Sequence, residues 1–260
     1  MTAFRCAFLS LVLVASGCAM ETTQTGARES YVKKVAVASF IKDQLFGSGN
    51  KGAAQEVFPL AEVDWNSNEV VASRVTQLLQ GAGIEVVSMT YDQNAFARAD
   101  PKRRDLALSQ QIGLELAKGA EAQQIDAFVI AYPLPINMYG NISNPAGYFL
   151  AWGPIGLIAE RSMSYYPAFL VKINRGMEAR LSGKSSCIIG LAVSVIDAHS
   201  NQIKAEKLKV FGRDELPHDL WAEQYEAFSG GDKQAIKTTC LGALVKGMNL
   251  ALADVGLVNQ

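Results

Sequence analysis

Continuous apolar runs alternate along the chain with segments whose apolar residues have helical spacing. This pattern predicts strands that alternate with helices. Mostly apolar runs at 34–41, 84–89 and 125–132 are rich in β-branched residues, as in strands that are buried in a sheet. Between them, residues 66–81 and 101–120 carry apolar side chains three and four positions apart, the spacing of a helix with one buried face. Strands separated by helices pair in parallel. The first half of the chain therefore predicts a β-α-β-α-β unit.

The boundaries of the first helix are marked by residues that commonly cap helices. Asn66 is followed three positions later by Glu69, which is the spacing of a capping box. Gly81 and Gly83 are typical of a helix end. The preceding segment, Gly47 to Pro59, is rich in glycine and is predicted to be a loop. Its GSGNKG stretch lacks the Gly-Lys-Ser/Thr frame of a phosphate-binding loop, so nucleotide binding is not expected.

The second half of the chain predicts antiparallel strands and a long helix. A short strand is expected over 168–173, and residues 187–197 alternate as a strand does. A turn leads into 203–211, whose charged positions are typical of an edge strand, so the two segments form a hairpin. A final helix over about 232–255 places these residues on one stripe: Ile236, Cys240, Ala243, Leu244, Gly247, Leu250 and Ala251. We predict an α/β fold: a mixed sheet with a parallel start, an antiparallel hairpin and a C-terminal helix packed on the sheet.

An insertion at about 135–166 interrupts this pattern. Its glycines and prolines prevent a long regular helix, but it is too apolar for a loop in solvent. Either it folds back over the core, or it forms an exposed contact surface for a partner or a membrane. The candidate contact residues are Tyr148, Phe149, Leu150, Trp152, Ile155 and Leu157.

The N-terminus has the three parts of a bacterial export signal. Arg5 supplies a positive charge, an apolar run follows from Cys6 to Ala15, and small residues then lead to Cys18. The run is too short to cross a bilayer core of about 30 Å as a helix. The Gly17-Cys18 ending resembles a lipoprotein signal, which implies that Cys18 is lipidated, as with palmitate, and becomes the mature N-terminus. The alternative is an ordinary signal peptide that is cut near Ala19, with Cys18 incidental.

These features predict the organisation and location of the chain. We expect a signal peptide over 1–17, a polar flexible tether over 18–30 and a single α/β domain over 31–260 that contains the insertion. Ala19 follows the cysteine where an aspartate would favour the inner membrane. We therefore expect a lipid anchor in the outer membrane through Cys18, with the domain facing the periplasm.

Composition favours a folded domain and disfavours some partners. Hydrophobic residues make up 49% of the chain and charged residues 19%, which is enough to build a core. The net charge is −1 and no block of lysines and arginines is present, so nucleic acid is not an expected partner. After the leader, no apolar run is long enough for a transmembrane helix.

Two cysteines remain once Cys6 and Cys18 are assigned to the leader and the anchor. In an oxidising periplasm, Cys187 and Cys240 are a candidate disulfide. The alternative is a pair of buried thiols that act as small apolar side chains. Their separation differs from the C-x-x-C spacing of redox enzymes.

No set of residues in the sequence predicts catalysis or metal binding. His199 lies in the hairpin turn and His218 in a polar connection, and no histidine pair has the i, i+4 spacing of a metal site. No serine stands in a G-x-S-x-G elbow. We therefore expect no enzyme activity, no cofactor and no metal. A hydrolase that uses Asp64 or His218 is kept as a lesser hypothesis.

Four segments of the domain share a pattern with known envelope proteins. They are Lys33–Val37, Ala120–Ile130 (AEAQQIDAFVI), 193–203 (VSVIDAHSNQI) and the C-terminal helix over Ala235–Leu257. They resemble the curli-secretion-channel lipoprotein, the activator lipoproteins of penicillin-binding proteins and the N-terminal domain of the Tol-system β-propeller protein. The resemblance covers most of the mature chain and implies the fold, but fold likeness does not carry a functional site with it.

The sequence also departs from that group. The Asp64–Asn66 stretch has no counterpart there, and Asn201 stands where the group has glycine. Residues 141–158 occupy the place of the channel's membrane-spanning insertions, but they lack the strict apolar and polar alternation of a barrel hairpin. A pore is therefore not expected.

The expected function is that of a non-catalytic, outer-membrane-anchored lipoprotein that binds an envelope protein partner during cell-envelope or surface-structure assembly. The alternative is an oligomeric secretion-channel component resembling the curli channel lipoprotein, which requires assembly into a ring. The sequence leaves the oligomeric state open.

Overall fold

The structure is a computed structural model that describes residues 32–51, 54–100, 103, 105–120, 124–134, 169–172, 185–220 and 224–259. The expected signal peptide over 1–17, the lipidation site Cys18 and the tether over 18–30 lie outside the described residues. The insertion predicted at about 135–166, with its candidate contact residues, also lies outside them.

The described residues form a mixed eight-stranded sheet with helices on both faces, as the fold prediction stated. The strands are β1 (Lys34–Ser39), β2 (Gln44–Lys51), β3 (Ala54–Glu62), β4 (Glu85–Val87), β5 (Ala127–Pro133), β6 (Phe169–Lys172), β7 (Ser186–Asp197) and β8 (Ile203–Glu215). The helices are α1 (Ser67–Gly81), α2 (Ala95–Arg98), α3 (Leu108–Ala120) and α4 (Gly230–Asp254), and a 3-10 turn spans Tyr225–Ala227.

The predicted parallel unit is confirmed. Strand β1 pairs in parallel with β4 on one side, where Lys34 lies opposite Glu85, and with β5 on the other, where Val35 lies opposite Ala127. Helices α1 and α4 pack on one face of the sheet, while α2 and α3 contribute to the core on the other face. All seven residues of β5 are buried, which explains its continuous apolar sequence.

Strand β7 joins two halves of the sheet. Strand β7 has neighbours on both sides: Val193 pairs with Ala131 of β5 and Lys207 of β8, and Ile189 pairs with Phe169 of β6 and Gly212 of β8. Strands β5 and β6 therefore lie end to end along the side of β7 away from β8. The lower half of the sheet consists of β4, β1 and β5 together with the part of β7–β8 that lies beside β5. The upper half consists of β3, β2 and β6 together with the part of β7–β8 that lies beside β6.

The strands are irregular at the level where the two halves meet. Residues 40–43 separate β1 from β2, and β8 has a bulge between Lys207 and Val210, opposite Val193 and Leu191. A bulge bends a strand and increases its twist. Among the described strands, only β7 and β8 therefore run through both halves.

The prediction of a loop over Gly47–Pro59 is wrong, because this segment forms most of the β2–β3 hairpin. Gly47 lies opposite Phe58, and a Cβ atom at Gly47 would be 2.4 Å from the tip of the Phe58 ring. The aromatic ring thus covers the glycine on the neighbouring strand. A strand with two glycines is stabilised here by an aromatic ring of its partner in addition to its own buried Leu45 and Phe46.

The cap predicted for α1 is also wrong. Asn66 has a left-handed backbone, with φ at 54°, and its side chain makes no capping hydrogen bond. Asp43 supplies the cap instead, since its carboxylate accepts hydrogen bonds from the N–H groups of Trp65, Asn66 and Ser67 at 3.2, 2.8 and 3.1 Å. A carboxylate at a helix N-terminus also interacts favourably with the helix dipole. The other end of α1 agrees with the prediction, since Gly83 has a φ of 78° just beyond it.

Replacing Asp43 with alanine is expected to lower the free energy of unfolding by about 1–3 kcal/mol, because three backbone N–H groups lose their acceptor. Urea unfolding followed by circular dichroism measures the change. The matched control is Asn66→Gly, which keeps the left-handed backbone accessible and is expected to change stability by less than about 0.5 kcal/mol. An equal loss in the two variants would contradict the assignment of the cap to Asp43.

Helix α4 lies very close to the sheet. A Cβ atom at Gly212 of β8 would be 2.6 Å from the carbonyl oxygen of Ala243, and one at Gly247 of α4 would be 2.5 Å from Ile189 Cδ1. The side chain of Ile189 fills the space that the two glycines leave. Of the predicted stripe on this helix, Leu250 is an exception, because it is 55% exposed.

Candidate functional site

The structure joins Cys187 of β7 to Cys240 of α4 in a disulfide, with their Cα atoms 5.3 Å apart. Both residues are fully buried. The bond therefore ties the C-terminal helix to the central strand in the upper half of the sheet.

The two histidines lie beyond opposite ends of β8, so the structure does not bring them together. His199 is exposed in the turn that precedes β8, where its backbone N–H donates to the Asp197 carboxylate at 3.0 Å. Burial alone would raise the pKa of Asp197, but hydrogen bonds from Ser200, His199 and Lys204 lower it to about 2. The turn is thus held by an ionised aspartate, and it places no second histidine beside His199.

His218 has a structural partner. Its ring nitrogen Nε2 contacts Asp232, and the same carboxylate accepts from the backbone N–H of Ser229 at 3.1 Å in the capping box of α4. The hydrogen bond with His218, followed by that with Ser229, lowers the pKa of Asp232. This pair connects the loop after β8 to the start of α4, and about half of the His218 side chain is exposed.

Within the part of the chain that the structure describes, no group of three or more histidine, cysteine, aspartate or glutamate side chains is placed to hold a metal ion. Asp64, the other residue of the hydrolase hypothesis, is exposed just before α1. No described hydrogen bond or ion pair joins Asp64 to His218. The structure therefore does not bring together the residues that this hypothesis requires.

Sequence reasoning missed a polar cluster centred on Glu206. One oxygen of its carboxylate, Oε1, accepts hydrogen bonds from Ser194 Oγ at 2.6 Å, from Ser109 Oγ at 2.8 Å and from the Tyr132 hydroxyl at 3.3 Å. Ser109 and Ser194 are fully buried, and Tyr132 is 4% exposed. The four residues come from α3, β5, β7 and β8. The cluster therefore ties α3 to three strands of the lower half.

The chemistry of this cluster is that of a structural hydrogen-bond network. Burial, with the nearby charge of Glu206, raises the pKa of Tyr132, so the phenol stays protonated and donates its proton to the carboxylate. Among the described hydrogen bonds, neither serine is joined to a histidine or lysine that could act as a base. The fully buried serine hydroxyls are also closed to a substrate. The only local sign of the cluster in the sequence is an acidic residue in an edge strand.

Replacing Glu206 with alanine is expected to lower the free energy of unfolding by about 2–4 kcal/mol, because buried hydroxyls lose their shared acceptor. Glu206→Gln keeps one acceptor oxygen and is expected to lose about half as much. Thermal and urea unfolding measure both variants, with the exposed Glu62→Ala as the control. A loss in Glu206→Ala no larger than that in the control would show that the network does not stabilise the fold.

The insertion begins and ends at neighbouring points of the sheet. The N–H of Leu134, directly after β5, donates to the carbonyl of Gly190 at 3.1 Å, and Phe169 at the start of β6 pairs with Ile189. Gly190 and Ile189 are consecutive residues of β7. Residues 135–168 thus connect two points that follow one another along a single strand.

One margin of the sheet carries exposed apolar side chains. Leu208 of β8 is 50% exposed, and Ile203 at the start of the same strand is 37% exposed. Among the described residues, β8 pairs only with β7, which makes it an edge strand as predicted. Its bulge and its lysines, which pair with Asp197 and Asp254, are features that oppose edge-to-edge association.

No helix among the described residues is both long and apolar enough to cross a membrane.

Comparison with known proteins finds only distant similarity to solved structures. No family model matches the chain, and no curated protein matches it. Similar solved structures include the hypothetical protein CT253 from Chlamydia trachomatis, with a TM-score of 0.39 and 11% identity over 86% of this chain and 95% of that chain. Protein XCC0632 from Xanthomonas campestris, described as DUF330, has a TM-score of 0.38 and 7% identity over 86% of this chain and 84% of that chain. At these scores the likeness carries no argument about function.

Proposed function

We propose that this protein is a non-catalytic lipoprotein, anchored in the outer membrane through Cys18, that binds an envelope protein partner through its insertion. The N-terminal Leu11–Cys18 stretch, with its resemblance to a lipoprotein signal, supports the anchor. The polar clusters that we describe act within the fold. A binding role is therefore favoured over catalysis.

The observation that carries the proposal is the position of the insertion. Leu134 and Phe169 occupy neighbouring places along β7, so residues 135–168 are a long connection between two adjacent points of the described sheet. Long connections between elements are commonly functional. Its apolar and aromatic residues, among them Tyr148, Phe149 and Trp152, are of the kinds that are enriched in protein interfaces.

Replacing residues 135–168 with a short glycine-serine linker is expected to leave the fold intact and to abolish partner capture. The change in stability is expected to be small, because a shorter loop costs less closure entropy. Crosslinking in intact cells, followed by mass spectrometry of the captured proteins, measures binding, and circular dichroism measures folding. A matched control with Tyr148, Phe149 and Trp152 changed to serine keeps the length of the insertion.

The outcomes decide whether the apolar side chains of the insertion make the contact with the partner. Loss of the crosslinks in both variants, with a normal fold, supports a contact surface made by the apolar side chains. Crosslinks that persist in both variants would overturn the role of the insertion.

Cys18→Ser tests the anchor separately, because it is expected to abolish incorporation of labelled palmitate and to release the protein from the membrane fraction. A ring-sized particle in mild detergent, measured by light scattering, would favour the secretion-channel alternative.

A further inference from the structure

We propose that the Cys187–Cys240 disulfide is a one-way lock, closed only after export, that completes the upper half of the sheet. The inference rests on the proposed function for one point alone, which is that the chain folds in an oxidising compartment. It adds an order of events, in which oxidation precedes the final packing of α4.

The disulfide is located where it can hold α4 against the upper half of the sheet. Cys187 belongs to the part of β7 that pairs with Val171 of β6 on one side and with Asp214 of β8 on the other. Cys240 is in the first half of α4, while the later residues Ala251 and Leu252 complete the buried face of that helix. The disulfide thus joins the first half of the helix to the upper part of the sheet.

The outer strands of the upper half are joined to β7 through short ladders, although Leu45, Phe169 and Val171 are buried in the common core. Strand β6 has only four residues, and β2 pairs with it at four positions from Leu45 to Ser48. Beyond β2, the hairpin strand β3 pairs with no other described strand. The lower half has a longer parallel ladder between β1 and β5 and has packed helices on both faces. Regions with few stabilising contacts open locally before the rest of a protein unfolds.

Because the sulfur atoms are buried, oxidation must precede the final packing of α4. Thiol–disulfide exchange requires a thiolate to reach a sulfur atom of the other molecule. Cys187 and Cys240 are both 0% exposed, so an oxidant can reach them only before α4 has packed fully against β7. A reductant cannot reach the bond once α4 is in place. The lock therefore closes during folding and does not reopen in the native state.

The oxidation of the two cysteines requires an oxidant that carries its own disulfide, which is the class of reagent that acts on exported proteins. The two S–H bonds of Cys187 and Cys240 break and one S–S bond forms. The cysteines lose two electrons and two protons, and the oxidant accepts them as its own disulfide becomes a dithiol. Before export, in a reducing cytosol, the two cysteines remain thiols and the upper half stays open.

The first test uses the full-length, lipidated protein in mild detergent. Dithiothreitol without denaturant, followed by a maleimide polymer that shifts the mass of each labelled thiol, is expected to label neither Cys187 nor Cys240. The same treatment in urea is expected to label both. Rapid labelling of both without urea would overturn the lock, because the bond would then be open to reductants in the folded state. Labelling of a further thiol would indicate an unlipidated Cys18 and would count against the proposed anchor alone.

The second test measures local opening by hydrogen exchange with mass spectrometry. In protein reduced in urea and returned to buffer with reductant, amides over 186–189 and 236–244 are expected to exchange at least about tenfold faster than in the oxidised protein. Amides of the lower half over 35–39 and 127–131 are expected to change by less than about twofold. The Cys187→Ala, Cys240→Ala double variant should show the same pattern without reductant. Equal exchange in oxidised and reduced protein, or a uniform increase in both halves, would overturn the proposal.

Discussion

Changing Cys187 and Cys240 together to alanine is expected to lower the free energy of unfolding by about 4 kcal/mol, among the largest effects of any substitution in this chain. The bond closes a loop of residues separated by 53 positions, and a loop of this length restricts the unfolded chain strongly. Both side chains are fully buried, so the loss of the two sulfur atoms also leaves unfilled space between β7 and α4.

Urea unfolding of the double variant and the parent protein, each with and without reductant, measures this loss. Once its disulfide has been reduced in the unfolded state, the parent is expected to fall most of the way to the double variant, which also lacks the two sulfur atoms. The double variant itself should not respond to reductant. If the reduced parent unfolds at the same urea concentration as the oxidised parent, the bond does not stabilise the fold.

Changing Gly212 to alanine is expected to cost about 3 kcal/mol, at the upper end for the insertion of one methyl group into a packed core. The new Cβ atom would lie 2.6 Å from the carbonyl oxygen of Ala243 and 2.7 Å from Ile189 Cγ1. The carbonyl oxygen is part of the α4 backbone, so it cannot turn away as the end of a flexible side chain can. Either α4 or β8 must move as a whole.

Gly242→Ala is the matched control for this prediction. It lies on α4 beside Ala243, but its Cβ atom would meet only Asp214 Oδ2 at 3.6 Å, an ordinary contact. Alanine is a better helix former than glycine by about 1 kcal/mol, so this variant is expected to be as stable as the parent or more stable. Thermal unfolding of both variants separates them. Similar melting temperatures for the two would mean that α4 does not approach β8 as closely as described.

The sequence predicted those elements whose signal is local. The apolar runs of β1 and β5 and the alternation of β7 mark strands that are buried in the sheet, and their burial confirms it. Helix α1 shows its buried face at Val71, Val75 and Leu79, which are four positions apart. In each case the pattern comes from one face of one element, so a single stretch of sequence contains it.

The features that the sequence missed depend on partners far along the chain. Asp43 caps a helix that begins at Ser67, and no local spacing connects the two. Gly47 belongs to a strand because Phe58 covers it from the neighbouring strand. The Glu206 cluster draws its hydroxyl groups from Ser109, Tyr132 and Ser194, so only the folded sheet brings them to one carboxylate. Propensity and periodicity contain no information about such distant pairs.

The Asp43 cap has a consequence for what this domain can accept as a ligand. In open α/β sheets, phosphate groups commonly sit beyond the carboxyl ends of parallel strands, against the N–H groups at the start of a helix. Here the first strand of the sheet ends at Ser39, and the N–H groups at the start of α1 already hold a carboxylate from the same chain. An incoming phosphate would have to displace this internal anion and overcome its charge. The start of α1 is therefore occupied by an aspartate of the same chain, and an anion from outside would compete with it.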